Sequence, residues 1–312
     1  MFLGVDGGQS STIAIIGDEA GKIMGWATAG PCNHTSGEEG RRKFIHVLRE
    51  CVGQASARAG LDPQHLHFRA ACLGMSGGPD DKAGLLAEVF TADHLIVTQD
   101  GRIALAGALG GQPGIIAIAG TGSFVYAENA AGETARAGGW GYIFGDEGGA
   151  FNIVRQALRA ALREQEGWGA RTALTPALVE AAEARDANHA LHLFYTAEWP
   201  RSRVAQLAKL VSRMAEEGDP LAVSILHGEA QHLATYIAAV RHRLWRDEES
   251  VQVSWAGGVF TSAILLDRFR ALIELAGSDH CHPPAHNPAA GALIVALRWA
   301  NISAIPGPSP EK

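Results

Sequence analysis

Two glycine-rich turns, each set between two short apolar segments, constrain the fold of this chain more than any other feature of its sequence. The first turn reads Asp6-Gly7-Gly8-Gln9-Ser10 and the second reads Gly120-Thr121-Gly122-Ser123. The segments around them are residues 2–5, 11–16, 114–119 and 124–128. Short apolar and β-branched runs bounded by such turns are typical of strands. The sequence therefore predicts a strand–turn–strand unit that occurs twice, as a structural repeat.

The remaining segments predict an α/β protein with two lobes around a cleft. Further strands are predicted over residues 22–29, 68–75, 94–98, 133–137 and 251–256, and helices over 39–59, 80–90, 102–109, 150–166, 200–217, 220–245, 262–275 and 289–299. In the first helix, five apolar residues recur at helical spacing: Phe44, Val47, Leu48, Cys51 and Val52. The 312 residues exceed the roughly 100–200 of a typical domain, so two domains are expected.

Composition excludes several classes of protein. The 26 Lys and Arg against 33 Asp and Glu give a net charge of −7, which argues against nucleic acid or an anionic membrane as the main partner. The four cysteines are scattered and form no CxxC pair, so neither a zinc ribbon nor a disulfide scaffold fits. No basic segment precedes an apolar stretch at the start, and no apolar run reaches the ~18–20 residues of a membrane span. The sequence predicts a reduced, cytoplasmic protein.

Each glycine-rich turn has a functional and a structural interpretation. Glycine backbone N–H groups can approach a phosphate closely because no Cβ blocks them, and a carboxylate such as Asp6 can hold Mg²⁺ through water. The alternative is an ordinary hairpin turn, for which Asp-Gly is a common signal. Two such turns, about a domain apart, favour the functional interpretation.

Asp100 lies just past the end of a predicted strand and before a helix. Aspartate is favoured as a helix N-cap, which is one interpretation. A carboxylate at a strand end can also be a general base that accepts the proton of a substrate hydroxyl attacking a γ-phosphate. The residues alone leave both interpretations open.

The segment from Gly138 to Gly149 combines six glycines with one tryptophan and an aspartate, Asp146. Glycine donors and a carboxylate can pair with sugar hydroxyls, while an apolar surface covers a face of the ring. The alternative is that Asp146 caps a helix and Glu147 lies in its first turn. The number of glycines favours a sugar site.

Seven motifs, in this order, resemble the N-acetylglucosamine kinase group of the BadF/BadG/BcrA/BcrD ATPase family, within the actin–hexokinase–Hsp70 superfamily. They are Gly4-Val5-Asp6-Gly7-Gly8, Pro31-Cys32-Asn33-His34, Gln99-Asp100-Gly101, Ile118 to Ser123, Gly138-Gly139-Trp140-Gly141, Gly145-Asp146-Glu147-Gly148 and Ala256-Gly257-Gly258-Val259-Phe260. The resemblance implies two ribonuclease-H-like lobes, residues 1–112 with about 289–312 and residues 113–288. It also implies MgATP and a hexosamine in the cleft, and a homodimer.

The resemblance also implies a role for each motif residue. The ATP-binding residues are Asp6, Gly7, Gly8, Gln9, Ser10, Gly120, Thr121, Gly122, Ser123, Gly257 and Gly258. Asp6 would also hold Mg²⁺, through water. The sugar contacts are Asn33, Asp100, Gly139, Trp140, Gly141 and Asp146, and Asp100 is also the catalytic base at the 6-hydroxyl. Gln9 and Ser10 depart from the Gly-Thr that is common in the family.

The predicted function is ATP-dependent phosphorylation of an amino sugar, with N-acetylglucosamine as the favoured acceptor and glucosamine or N-acetylmuramic acid as alternatives. Two alternatives belong to other classes. An activator ATPase for a 2-hydroxyacyl-CoA dehydratase needs clustered thiolates for its iron–sulfur cluster, which the scattered cysteines do not favour. An actin-like nucleotide-binding protein would leave the Gly138–Gly149 segment unexplained.

Overall fold

The computed structural model describes residues 1–8, 11–32, 37–75, 82–275 and 279–307. The strands are β1 (Phe2–Gly7), β2 (Thr12–Gly17), β3 (Ile23–Ala29), β4 (His67–Met75), β5 (Thr91–Gln99), β6 (Gly114–Ala119), β7 (Ser123–Glu128), β8 (Thr134–Gly138), β9 (Val251–Ala256) and β10 (Asp279–Cys281). The helices are α1 (Gly37–Arg58), α2 (Ala83–Leu86), α3 (Asp100–Ala108), α4 (Ala150–Gln165), α5 (Leu174–Ala181), α6 (Ala187–Leu193), α7 (Arg201–Gln206), α8 (Ala208–Glu216), α9 (Pro220–Leu244), α10 (Ala263–Glu274) and α11 (Pro288–Trp299).

The chain divides into two compact units, each built on one five-stranded sheet. The first unit contains Met1–Ile116 and Pro283–Lys312, and the second contains Ala117–His282. The first sheet has the order β3-β2-β1-β4-β5, and the second, in the same sense, has the order β8-β7-β6-β9-β10. The two orders are the same topology, which confirms the predicted repeat and the predicted α/β class. β2 and β3 of the first sheet pair antiparallel, as do β7 and β8 of the second. β4 and β5 pair parallel, as do β9 and β10.

Helices cover both faces of the first sheet. The apolar residues predicted on one face of α1, among them Phe44 and Leu48, are all buried in one core cluster. The other core cluster brings α11 against β1, where a Cβ at Gly4 would overlap the backbone of Leu293 and Ala289. Glycine at this position therefore lets the C-terminal helix pack directly on the first strand.

The second unit places a long helix against the strands that follow the second glycine turn. This helix, α9, packs on β7 and β8 and also on α8 and α10. Asp219 caps its start by accepting a hydrogen bond from the N–H of Ala222, 2.8 Å away. The cap satisfies one of the first backbone donors of this helix.

Two predicted helices are shorter in the structure. Of the helix expected over 80–90, residues 80 and 81 lie outside the described part, and only α2 is helical. Beyond Leu86 the chain continues in turns with hydrogen bonds between residues three apart. The helix expected over 200–217 is interrupted at Leu207, where a similar bond runs from the N–H of Leu207 to the carbonyl of Val204. Such bonds tighten a helix locally. The short elements α5, α6 and β10 were not predicted.

In the part of the chain that the structure describes, no helix combines the length and apolar character needed to cross a membrane.

Candidate active site

The first glycine turn lies where β1 ends. Asp6 and Gly7 are the last two residues of β1, and the N–H of Gly8 donates to the carbonyl of Ser11 at 3.0 Å. Asp6 is half-buried. Gln9 and Ser10, also predicted to bind ATP, lie outside the described residues. The described part of the turn therefore has the tight geometry that the sequence predicts.

Asp100 lies at the same edge of the first sheet as this turn. In the parallel registers, Gly7 pairs with Met75, and Met75 pairs with Gln99, the residue before Asp100. Three parallel strands thus end together, with β4 between β1 and β5. Since neighbouring strands lie about 4.8 Å apart, the backbones of Gly7 and Gln99 are about 10 Å apart along the edge.

Asp100 is not the N-cap of α3. Gln99 holds that position without a side-chain bond, and Asp100 is the first helical residue, half-buried, with its Oδ1 accepting from the N–H of Gly101 at 2.9 Å. The N-cap interpretation was therefore wrong. A carboxylate in the first turn is favoured by the helix dipole, which stabilises its ionised form.

A buried lysine near the first turn was not found from the sequence. Lys82 is 2% exposed. Burial raises the pKa of the Cys32 thiol; the charge of Asp6 also raises it, and that of Lys82 lowers it. Both charges therefore act on Cys32, whose Sγ lies beside Gly7 of the first turn, 3.0 Å from the position of a Cβ there. No pattern in the sequence distinguished this lysine.

The second glycine turn is fixed to the start of α4. The N–H of Gly120 donates to the carbonyl of Gly122 at 2.9 Å, which closes the turn. The carbonyls of Gly120 and Thr121 accept from the N–H groups of Ala150 and Phe151, at 2.8 and 3.1 Å. The turn and the N-terminus of α4 therefore form one rigid element.

Gly257 lies beside the second turn. Its φ is +107°, and a Cβ there would overlap the carbonyl oxygen of Ala119. Gly258 begins a short 3₁₀ helix that ends at Thr261. The structure thus brings Gly257 and Gly258, both predicted to bind ATP, to the end of β6, with Gly257 next to Gly120.

The loop from Gly138 to Gly149, called the sugar loop below after the role predicted from the sequence, holds a buried carboxylate. Asp146 is 6% exposed and has a φ of +63°. Its Oδ1 accepts from the N–H of Gly141 at 3.2 Å, and its Oδ2 pairs with the guanidinium of Arg201. A Cβ at Gly122 would overlap the same carboxylate. Asp146, Gly141 and the second turn are therefore packed together.

Asp146 does not cap α4 either. The N-cap is Gly149, without a side-chain bond, and Glu147 precedes the helix rather than lying in its first turn. The helix-cap interpretation of Asp146 was therefore wrong. Its positive φ is uncommon for a residue other than glycine and is typical of functional loops.

The apolar residues of the sugar loop face solvent. Trp140 is 78% exposed and Phe144 84% exposed. The Tyr142 ring packs edge-on against Phe151, with the ring centres 5.2 Å apart, and the Arg201 guanidinium lies 5.1 Å from the Tyr142 ring centre. Exposed aromatic surface beside a carboxylate can cover one face of a sugar ring.

Two further side chains at the sugar loop were missed from the sequence. Glu229 of α9 is 2% exposed, and burial raises its pKa. Hydrogen bonds from Asn152 and Gly148 partly offset this increase. The Tyr236 hydroxyl donates to Glu147; burial and this bond raise the pKa of Tyr236. The sequence signal that could have identified Glu229 is its position within the apolar stripe of a helix, between Leu226 and Leu233.

Burial also acts on the Glu147 carboxyl. Burial by itself would raise the pKa, but the hydrogen bond from Tyr236, a backbone hydrogen bond and the charges of His232 and Arg155 together outweigh it, so the pKa of Glu147 lies below its usual value. Glu147 is therefore ionised at neutral pH.

The donor set at the first turn fits a weakly held magnesium ion. Among the residues that the structure describes, no group of three or more His, Cys, Asp or Glu side chains could hold a metal. Mg²⁺ in nucleotide sites keeps several waters and takes one or two carboxylates plus phosphate oxygens. One carboxylate, Asp6, satisfies that requirement. Asn33, the remaining predicted sugar contact, lies outside the described residues.

Two α/β units of one topology, each with a glycine turn after its first strand, define the actin-like ATPase class of folds. Within that class, the chain belongs to the BadF/BadG/BcrA/BcrD ATPase family, whose sequence model matches residues 3–296.

Proteins that are similar to most of this chain are named as kinases. An N-acetylmuramic acid/N-acetylglucosamine kinase of Clostridium acetobutylicum is 30% identical over 279 residues, covering 88% of this chain and 90% of the relative. An N-acetyl-D-glucosamine kinase of Dictyostelium discoideum is 28% identical over 320 residues, covering 95% of this chain and 98% of the relative. A crystal structure of a candidate N-acetylglucosamine kinase from Chromobacterium violaceum has a TM-score of 0.76 at 26% identity, covering 95% and 98%. The predicted family and the predicted enzyme class, a sugar kinase, are confirmed.

Proposed function

We propose that the protein transfers the γ-phosphoryl group of ATP to the 6-hydroxyl of an amino sugar, with N-acetylglucosamine as the favoured acceptor. The observation that carries the proposal is the common edge of the first sheet, where Asp100 follows β5 two strands away from the first glycine turn. Phosphoryl transfer to a hydroxyl requires a phosphate site and a nearby proton acceptor. The relatives named as amino sugar kinases support the acceptor class.

The nucleotide would be held mainly by backbone. N–H groups of Asp6–Ser10 and of Gly120–Ser123 would contact the phosphates, and Gly257 and Gly258 would flank the adenosine. The rigid closure of the second turn on α4 supports this role because fixed donors need no reorganisation. Asp6 would hold Mg²⁺ through water, and that ion neutralises charge on the phosphate oxygens when it is bound.

Asp100 would be the general base. Its ionised carboxylate accepts the proton of the sugar 6-hydroxyl as that oxygen forms its bond to the γ-phosphorus. The bond from the γ-phosphorus to the bridging oxygen breaks, and ADP leaves with the electron pair. The position of Asp100 in the first turn of α3 supports an ionised carboxylate.

The sugar would be recognised by Asn33 and by the sugar loop. Asp146 would accept hydrogen bonds from sugar hydroxyls, and the N–H of Gly139 would donate to a sugar oxygen. Gly141, whose N–H already donates to the Asp146 carboxylate, would contact the sugar without that hydrogen bond. The exposed Trp140 ring would cover one face of the sugar. The ion pair with Arg201 supports this role because it holds the Asp146 carboxylate in a fixed position.

Measuring ADP release with a panel of acceptors tests the proposal. The panel is N-acetylglucosamine, glucosamine, N-acetylmuramic acid, N-acetylmannosamine and glucose. We expect the highest kcat/KM for N-acetylglucosamine and a product carrying phosphate on O6 by phosphorus NMR. A higher value for glucosamine or N-acetylmuramic acid would replace the acceptor within the class, whereas ADP release that no amino sugar stimulates would contradict the proposal.

The cysteines give no support to the activator ATPase. All four are buried free thiols in the described part of the chain, and three lie in the first unit while Cys281 lies in the second. Burial raises the pKa of Cys51, Cys72 and Cys281 to about 12, which disfavours the thiolates that a cluster needs. The implied homodimer remains a prediction that size-exclusion chromatography with light scattering would test.

A further inference from the structure

One helix, α9, contacts both ends of the sugar loop. The ring of Tyr236 lies against Gly138, where a Cβ would sit 2.7 Å from Tyr236 Cε2. Leu233 lies against Gly148, where a Cβ would overlap its side chain. The loop therefore begins and ends on the same helix, and both contacts are close enough to need glycine.

Two polar groups of α9 add hydrogen bonds to this contact. The Glu229 carboxylate accepts from the N–H of Gly148 at 2.5 Å and from Asn152 Nδ2 at 2.7 and 2.9 Å. The Tyr236 hydroxyl donates to the carboxylate of Glu147. The two α9 residues are seven positions apart, which places them on one face of the helix.

The sugar loop needs such support from outside. Asp146 has a positive φ, and a residue other than glycine keeps that conformation only when its surroundings determine it. Burying a carboxylate such as that of Glu229 is costly unless hydrogen bonds compensate, and here the compensating donors are the loop and the first turn of α4. The position of the loop and the burial of Glu229 are therefore coupled.

We propose that Glu229 is a positioning residue for the sugar acceptor, with Tyr236 as a second, weaker one. Glu229 acts through Gly148 and Asn152 to hold the sugar loop in the conformation that presents Asp146. It touches neither sugar nor nucleotide. The inference rests on the proposed function, because it assigns the sugar loop to the acceptor.

Two variants of Glu229, with a matched control, test the role. We expect Glu229→Ala to raise the KM for the sugar by about tenfold, with the KM for ATP changed by less than about twofold, since a hydrogen bond to a charged group is lost. Glu229→Gln should restore most of the sugar affinity because its amide oxygen still accepts from Gly148. The measurements are steady-state kinetics with each substrate varied and the thermal midpoint, Tm.

The control is Asp219→Asn. Asp219 is a buried carboxylate at the N-cap of the same helix, but its oxygens accept hydrogen bonds from Thr172, Ala173 and Ala222. We expect this variant to lower Tm and to leave the KM for the sugar unchanged. A Glu229→Ala variant that behaves like the control, or that raises the KM for sugar and ATP equally, would overturn the inference.

Tyr236→Phe keeps the test decisive if Glu229→Ala does not fold. This variant keeps the ring against Gly138 and removes only the hydroxyl that binds Glu147. We expect the KM for the sugar to rise about two- to fivefold, and an unchanged value would overturn the inference. If the wild-type protein phosphorylates no amino sugar, the proposed function fails as well; if it does and the variants leave the KM unchanged, only this inference fails.

Discussion

Asp100 directly follows β5 as the first residue of α3, whereas Asp93 lies near the start of β5. Asp100→Asn keeps the shape of the side chain and removes the proton acceptor, so we expect kcat to fall about 10²- to 10⁴-fold while sugar binding is retained. ADP release and calorimetric titration with the sugar measure the two effects. Asp93→Asn, at the exposed end of the strand, should leave both unchanged. Normal turnover of Asp100→Asn would remove Asp100 from the mechanism.

Asp146 gives a second prediction for a single residue. Asp146→Ala removes the carboxylate that Gly141 and Arg201 hold, so we expect the KM for the sugar to rise about tenfold or more and the KM for ATP to change little. Steady-state kinetics with each substrate varied separate the two. Asp186→Ala, which removes the N-cap of α6, is the control and should leave the KM for the sugar as it is. An equal KM in the Asp146 variant and the wild type would contradict the role.

The sequence predicts residues that lie in motifs, and it misses residues that reach the site from distant elements. Arg201 meets Asp146 across 55 positions of the chain, and Glu229 meets Gly148 across 81. Neither lies in a local pattern that predicts its partner. The N-cap interpretation of Asp100 was open in the sequence because a strand end and a helix start coincide there, and only the backbone shows that Gln99 is the cap.

At the scale of elements, the end of β9 is closely packed on the end of β6. Gly257→Ala introduces a Cβ at a positive φ and against the Ala119 carbonyl, so we expect a loss of about 1–3 kcal/mol in the free energy of unfolding. Gly258→Ala is the matched control, since no atom lies within 4 Å of a Cβ there. Chemical denaturation of both variants measures the difference, and equal stabilities would show that the two ends are not in contact.

The elements that sequence predicts well are those with strong periodicity or clear borders. The apolar stripe of α1 and the strands around both glycine turns have such signals, and the structure contains them. The interruption at Leu207 was missed because the apolar spacing continues through it from Val204 to Val211. The strand β10 is only three residues long, which is too short for a periodic signal.

At the scale of the whole molecule, the C-terminal helix is an integral part of the first unit. Leu293 of α11 is fully buried against β1, so we expect Leu293→Ala to lower the free energy of unfolding by about 2–5 kcal/mol. Leu275→Ala, at a position that is 83% exposed, should change it by less than about 0.5 kcal/mol. Urea denaturation compares the two. A small effect at Leu293 would mean that α11 does not form part of the core.

The repeat that the sequence predicts relates the two units, and the proposed reaction needs both of them. Each sheet carries its glycine turn after the first strand, Asp6–Ser10 in one and Gly120–Ser123 in the other. Sequence predicts this division because both turns have strong local signals. It does not predict the registers that align β1, β4 and β5, since pairing between strands depends on contacts far apart in the chain.

A crystal structure with a non-hydrolysable ATP analogue and N-acetylglucosamine tests the proposed reaction most directly. We expect the triphosphate to accept hydrogen bonds from backbone N–H groups of both glycine turns, and the Asp100 carboxylate to lie within hydrogen-bond distance of the sugar 6-hydroxyl. A triphosphate bound away from either turn, or a 6-hydroxyl out of reach of Asp100, would contradict the account.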